Sequence, residues 1–344
     1  MKNLALLVVA VVISMLGAEG AMRAAGFVAR TPQVNPFFVP GTETTWSAPD
    51  PELGWINKAG ISRSVEGDRV PMTFWNFGRR ATRPDPAPPN GERIPVMIIG
   101  GSNAQSYGVR DEDSFAYLLS QRYPSLWIEN FGTGGYSTVQ ALILAQRALG
   151  QFYGEVKPRL ILLAFDDAHA LRNVADQSWI YAITDSEGRY VAPPHYRLDG
   201  DRMVFHPFRT IGFWPLERQS AAVTVLHNVW LQSFAYNTAA QAQPVTRQVV
   251  THLAEFAKQE NVPFAAVVLD DRTQMSGAIF AYRDFPHHDC SGLERSAPAE
   301  YLLGGSHPNA KLHRHFADCI AAWLEKDVLP GLAAAPQGSA GASP

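Results

Sequence analysis

From residue 94 onward the apolar positions follow two alternating rhythms. Ile94–Ile99 (IPVMII), Leu126–Phe131, Leu160–Phe165 and Val262–Leu269 are short, nearly continuous apolar runs. Between and after them, residues 113–123, 138–149, 246–259 and 310–324 repeat apolar side chains every three or four positions. Runs of the first kind suit strands covered on both faces, and repeats of the second kind suit amphipathic helices. Their alternation predicts an α/β fold over residues 93–328, a three-layer αβα sandwich around a parallel central sheet. The alternation stops between about residues 173 and 244, where Trp179, Tyr181, Tyr190, Tyr196, Phe205, Phe208, Phe213 and Trp214 cluster. That stretch reads as an insertion over the sheet. Inside it, Asp199-Gly200 predicts a hairpin turn between residues 190–198 and 202–205, because both turn residues tolerate positive φ. Residues 29–92 show neither rhythm and end in the Pro-rich stretch 84–89, so they read as an irregular region and linker.

The two ends carry their own signals. Leu4 to Gly17 is an apolar run preceded only by Lys2, the pattern of a charged n-region and a short h-region. Residues 1–28 are therefore expected to be either a signal peptide, cut near the small residues Ala18 and Gly20, or a retained membrane anchor. No cysteine stands near residue 20 to carry a lipid. At the other end, residues 329–344 finish in Ala, Gly, Ser and Pro and read as a flexible tail.

Composition narrows the function. With 46% apolar and 18% charged residues the chain can bury a substantial core. Its 29 basic and 32 acidic residues give a net charge of -3 with no basic block, which argues against a nucleic-acid partner. The two cysteines, Cys290 and Cys319, form no zinc-ligand set; they are either free and buried or, in an oxidising compartment, a disulfide tying the His307 region to the last helix. His287, His288 and Asp289, with His307, are weighed as metal ligands against a solvated loop, and the loop is preferred; no metal or other cofactor is expected.

In open α/β sheets ligands bind beyond the carboxyl ends of the strands. Three such ends carry unusual residues: Gly100-Gly101-Ser102-Asn103, the glycine-rich stretch 130–137, and Asp166-Asp167. A serine between a glycine turn and a helix start is placed either as a nucleophile or as an ordinary helix cap. A base for it could come from His307, which precedes Pro308-Asn309 and the final helix.

Taken together, these segments resemble the SGNH (GDSL-like) hydrolase superfamily, in four ordered blocks over about residues 93–324. IIGGSNAQSYGV (98–109) resembles the nucleophile block, NFGTGGYST (130–138) the glycine block, LLAFDD (162–167) the block that usually ends in Asn-Asp, and HPNAKLHRHFA (307–317) the histidine block. PELGWINKAG (51–60) and NFGR (76–79) are similar to segments of exported, N-terminally anchored members. The resemblance implies a serine esterase or O-acyltransferase acting outside the cytoplasm, either periplasmic or secreted or tethered to the inner membrane, on an acylated carbohydrate, a lipid or a small ester. It assigns Ser102 as nucleophile, His307 as base, and the Ser102 and Gly135 N–H groups as oxyanion donors. Two positions depart from the pattern. Asp166 stands where an oxyanion-hole Asn is usual, and only a protonated Asp166 could donate there. Gly304 and Gly305 stand where the carboxylate partner of the histidine is usual, leaving Asp289 or Glu300 as substitutes. These departures keep open a second reading, a catalytically degenerate domain that binds polysaccharide or a partner protein.

Overall fold

A computed structural model describes residues 2–33, 46–64, 66, 68–88, 93–154, 156–281 and 283–334. In chain order its main elements are α1 (Lys2–Ala24), β1 (Gly60–Arg63), β2 (Pro71–Trp75), β3 (Arg79–Arg80), β4 (Ile94–Gly100), α2 (Phe115–Arg122), β5 (Leu126–Asn130), α3 (Thr138–Ala148), β6 (Leu160–Asp166), α4 (Ala221–Trp230), α5 (Ala242–Gln259), β7 (Phe264–Asp270), β8 (His287–Asp289) and α6 (Ala310–Trp323). Eight strands form one sheet in the order β8-β7-β6-β4-β5-β3-β2-β1. Strands β4 to β8 run parallel to their neighbours. The α/β sandwich is therefore as expected, with β4, β5, β6 and β7 starting within two residues of their predicted positions, while β8 lies where a solvated loop was expected.

The alternation of side chains along the strands feeds two cores. Met97, Ile99, Ile161, Leu163, Phe165, Ala266 and Val268 face α3 and α5. Val96, Ile98, Leu160, Leu162, Ala265 and Val267 face α2 and α6. Both faces are dry, which is why these strands read as unbroken apolar runs.

The expectation for residues 29–92 is corrected. Strands β1 to β3 extend the sheet antiparallel at one edge, with Arg80 of β3 opposite Asn130 of β5, so the sheet is mixed and begins at Gly60. Strands of four, five and two residues are too short for a period of two to stand out. Arg80 is fully buried, and its guanidinium donates to the Gln105 and Val109 carbonyls and pairs with Asp111. This added edge thus clamps the loop that follows β4. The Pro-rich stretch is described only as far as Pro88, and Pro89 lies outside the described residues.

In the insertion, the hairpin across Asp199-Gly200 pairs His195–Asp199 with Arg202–His206; Tyr190–Ala192 pairs instead with Arg209–Ile211. The tail expectation is corrected at its start: residues Leu329–Ala334 continue as helix from the preceding segment, with Leu332 buried, and residues 335–344 lie outside the described residues.

Cys290 and Cys319 form a disulfide with Cα atoms 5.9 Å apart, tying the end of β8 to α6. Closing a loop with a sequence separation of 29 is worth about 3–4 kcal/mol by chain entropy. Replacing Cys319 with Ser is expected to lower the urea-unfolding free energy by that amount, to the value of reduced wild type. A variant as stable as the oxidised protein would show that the bridge does not constrain the unfolded chain.

Candidate active site

Strand β4 ends at Gly100, and Ser102 opens a one-turn helix, Ser102–Gln105. Amides in a first helical turn have no intrahelical acceptor, so the Ser102 N–H is available. A Cβ on Gly101 would lie 2.7 Å from His169 Nε2 and 2.9 Å from Asp166 Oδ2. The space beside the serine is therefore filled by side chains from the end of β6 and the helix after it, and only glycine fits.

The glycine block is bound to the same turn. Asn130 Nδ2 donates to the Ala104 carbonyl at 2.7 Å and its Oδ1 accepts from Gly132 N–H at 2.8 Å. Asn57 donates to the Gly132 carbonyl at 2.9 Å and accepts from Gln105 Nε2 at 2.6 Å. Gly132 passes so close that a Cβ there would meet the Ala104 carbonyl carbon at 2.4 Å. Tryptophans wall the loop beyond: the rings of Trp55 and Trp179 stand 3.1 Å from a Cβ built at Gly135, and Trp46 2.8 Å from one at Gly134.

His307 sits in a two-residue strand, His307–Pro308, paired with Leu302–Leu303, immediately before Asn309 caps α6 through the Lys311 and Leu312 amides. Its segment comes within 8 Å, Cα to Cα, of the Ser102 helix, and its ring lies 5.0 Å from that of Tyr107. His307 Nδ1 is 2.8 Å from Glu66 Oε2, which also accepts from the Ser306 hydroxyl at 2.8 Å. A carboxylate on Nδ1 fixes the proton there and leaves Nε2 as the basic nitrogen.

The expected partners of His307 are corrected. Glu300, in the short helix Pro298–Tyr301, pairs with Lys311 on the first turn of α6. Asp289 caps Ser291 N–H at 2.8 Å on edge strand β8, three strands from β4, about 14 Å at ordinary strand spacing. The carboxylate at His307 is Glu66, in the β1–β2 connection, 241 residues away in sequence. No spacing in the chain points to it. Burial opposes its ionisation, but the hydrogen bond and charge of His307 outweigh that and hold the Glu66 carboxyl below its usual range.

Asp166 is buried at the end of β6, 3.3 Å from His169 Nε2 and 3.9 Å from Arg172 Nη1. Burial works against its charge, yet the neighbouring His169 and Arg172 prevail and keep its carboxyl at about 2. Asp166 is therefore ionised, held against Gly101 beside the His169 ring and the Arg172 guanidinium. Arg172 also donates to the Tyr136 carbonyl at 3.1 Å and lies 4.4 Å from the Trp179 ring centre. Asp270 ends the next strand; burial, then the charges of Asp166 and Asp167, raise its carboxyl to about 6 against the pull of Arg272.

The ligand set weighed around His307 does not assemble. His288 stacks on Trp323 and lies with the Cys290 and Cys319 sulfurs in a group spanning 4.8 Å, and both sulfurs are in the disulfide. A groove of about 910 Å³ opens at the opposite end of the sheet, against Leu160, Phe264, Phe285 and Leu332, remote from Ser102.

No family model matches the chain, and no curated protein matches it. Among solved structures it is similar to TesA (11% identity, 67% of this chain and 98% of that one, TM-score 0.40). It is also similar to the psychrotrophic esterase EstA from Pseudoalteromonas sp. (14%, 67% and 99%, TM-score 0.37), and to a GDSL-like lipase from Bacteroides thetaiotaomicron (12%, 70% and 92%, TM-score 0.38). At these identities and TM-scores the likeness carries no functional argument, which rests on the site itself.

Proposed function

We propose that this protein is a serine ester hydrolase or acyltransferase working through an acyl-serine intermediate. The observation that carries the reading is the Glu66–His307 hydrogen bond on a segment that packs beside the Ser102 turn, which brings a carboxylate, an imidazole and a serine at the head of a helix into one neighbourhood. In this scheme His307 Nε2 takes the Ser102 proton as Oγ attacks the ester carbonyl. The Ser102 and Gly135 N–H groups hold the oxyanion. Collapse expels the alcohol, which receives its proton from His307, and water or an acceptor hydroxyl then releases the acyl group by the reverse steps. Of the tryptophans around Gly134 and Gly135, Trp46 and Trp55 are core residues, and the half-buried Trp179 offers the flat apolar ring that suits a sugar, which supports an acylated carbohydrate as substrate. The disulfide and the apolar N-terminal helix support a place outside the cytoplasm. The test is hydrolysis of a p-nitrophenyl ester panel by wild type and Ser102→Ala.

One observation favours the reading as a binding domain without turnover: an ionised Asp166 stands where an amide donor is usual, and a carboxylate there opposes the developing oxyanion. His169 and Arg172 offset much of that charge, which keeps the enzyme reading ahead. Asp166→Asn is expected to raise kcat up to ~10²-fold, the worth of about one oxyanion donor, while lowering stability by about 1–3 kcal/mol as the buried His169 and the Arg172 guanidinium lose the charge beside them. Steady-state kinetics with thermal melts check both. A kcat drop of tenfold or more would make the carboxylate part of the machinery, and no turnover in any variant would favour the binder.

A further inference from the structure

Helix α4, in the insertion, carries large apolar side chains outward. Leu226, Val229, Trp230 and Phe234 follow at intervals of three, one and four residues and so share one face of α4 and the turn that continues it. They are 59%, 46%, 40% and 77% exposed, whereas His227 and Leu231 are buried. An apolar stripe of this size on a water-facing helix calls for a cover.

The base of the same helix is fastened to α1. Glu19 accepts from the Ser220 hydroxyl at 2.6 Å and from the Ala221 and Ala222 amides at 3.1 and 3.0 Å, capping α4 from outside. Arg23 donates to the Gln219 carbonyl at 2.9 Å. Arg30 N–H donates to Thr224 Oγ1 at 3.0 Å and to the Glu217 carbonyl at 3.1 Å. Before these contacts α1 leaves the body: residues 2–18, in a helix whose most apolar window has a mean hydropathy of 2.2 and no buried part, rise about 26 Å at ~1.5 Å per residue, the short end of what crosses a bilayer core. A cut at Ala18 or Gly20 would break or displace the Glu19 cap.

We propose that α1 stays on the mature protein as a membrane anchor and that the Leu226–Val229–Trp230–Phe234 face lies in the headgroup interface of that membrane, setting the insertion on the lipid surface. The occupant is a phospholipid bilayer because the stripe begins where an apolar span leaves the body. Exposed Arg23 and Arg218 flank that point, matching anionic headgroups, and Trp230 is a side chain that favours the interface.

The chain's two cysteines are bridged, so single cysteines introduced by Leu226→Cys, Phe234→Cys and, as control, Lys258→Cys can carry an environment-sensitive fluorophore in the full chain. In phosphatidylcholine–phosphatidylglycerol vesicles, labels at 226 and 234 are expected to shift to the blue, brighten at least twofold and be quenched by spin-labelled lipid, while the label at 258 is quenched only by aqueous iodide. Iodide quenching at 226 and 234 equal to that at 258 overturns the proposal. So does a blue shift without lipid quenching that grows with protein density, which would signal a second copy as the cover. The intact mass of protein isolated from the expressing cells should include residues 2–24; a chain starting after Ala18 or Gly20 overturns the anchor. None of these readouts uses ester turnover.

Discussion

Ser102→Ala is expected to abolish ester turnover, lowering kcat by about 10⁴–10⁶, the range seen when a triad nucleophile is removed. At 1.36 kcal/mol per tenfold this is about 5–8 kcal/mol of barrier, far more than a helix cap is worth. Here the two functions separate, because the N-cap of this helix is Gly101 and Ser102 is its first helical residue. Folding stability should change by under about 1 kcal/mol. Progress curves on the most reactive p-nitrophenyl ester, with a melt of the same sample, make the check. A variant with wild-type turnover removes Ser102 from the chemistry.

The second large effect is expected at Glu66. Replacing it with Gln keeps the volume but presents an amide to His307, which can then hold the wrong tautomer, with the proton on Nε2 and none free to accept from Ser102. The analogous change in a triad costs about 10⁴ in kcat with geometry intact. KM should move little, since Glu66 touches no substrate in this scheme. The same residue gives a pH signature. Its folded-state carboxyl lies below the ordinary value of 4.5, so it contributes stability that is fully present above that value and is lost as pH falls through the lower folded one. Glu66→Gln should flatten that acid-side loss in pH-dependent melts. A variant with unchanged kcat would leave His307 without need of a carboxylate and return weight to the binding-domain reading.

The parts of the site that could be read from the sequence are those whose role is local. Ser102, Gly135 and His307 each follow a strand end or precede a helix, and the apolar runs of a doubly covered sheet mark those ends. Glu66 could not be read there. Its role depends on a hairpin of four- and five-residue strands that brings it across the sheet edge, and nothing local distinguishes it from a solvated loop acid. Asp166 stood out as a departure, but its compensation by His169 and Arg172, three and six residues on, did not, because no sequence pattern shows that Gly101 leaves the space in which these side chains meet. The N-terminal helix extends past the apolar run for a related reason. Glu19 and Arg23, which follow that run, are the residues that fasten it to the start of α4.

The most direct test of the central claim, that Ser102 is the nucleophile driven by the Glu66–His307 pair, is the intact mass and peptide map of the protein after exposure to a p-nitrophenyl alkylphosphonate. Attack by Ser102 Oγ forms a P–O bond and releases p-nitrophenolate, so one adduct is predicted, on Ser102 alone. It should be absent from Ser102→Ala and form at least about 10³-fold more slowly in Glu66→Gln. An unmodified wild-type protein, an adduct on another residue, or equal labelling rates in wild type and Glu66→Gln would contradict it.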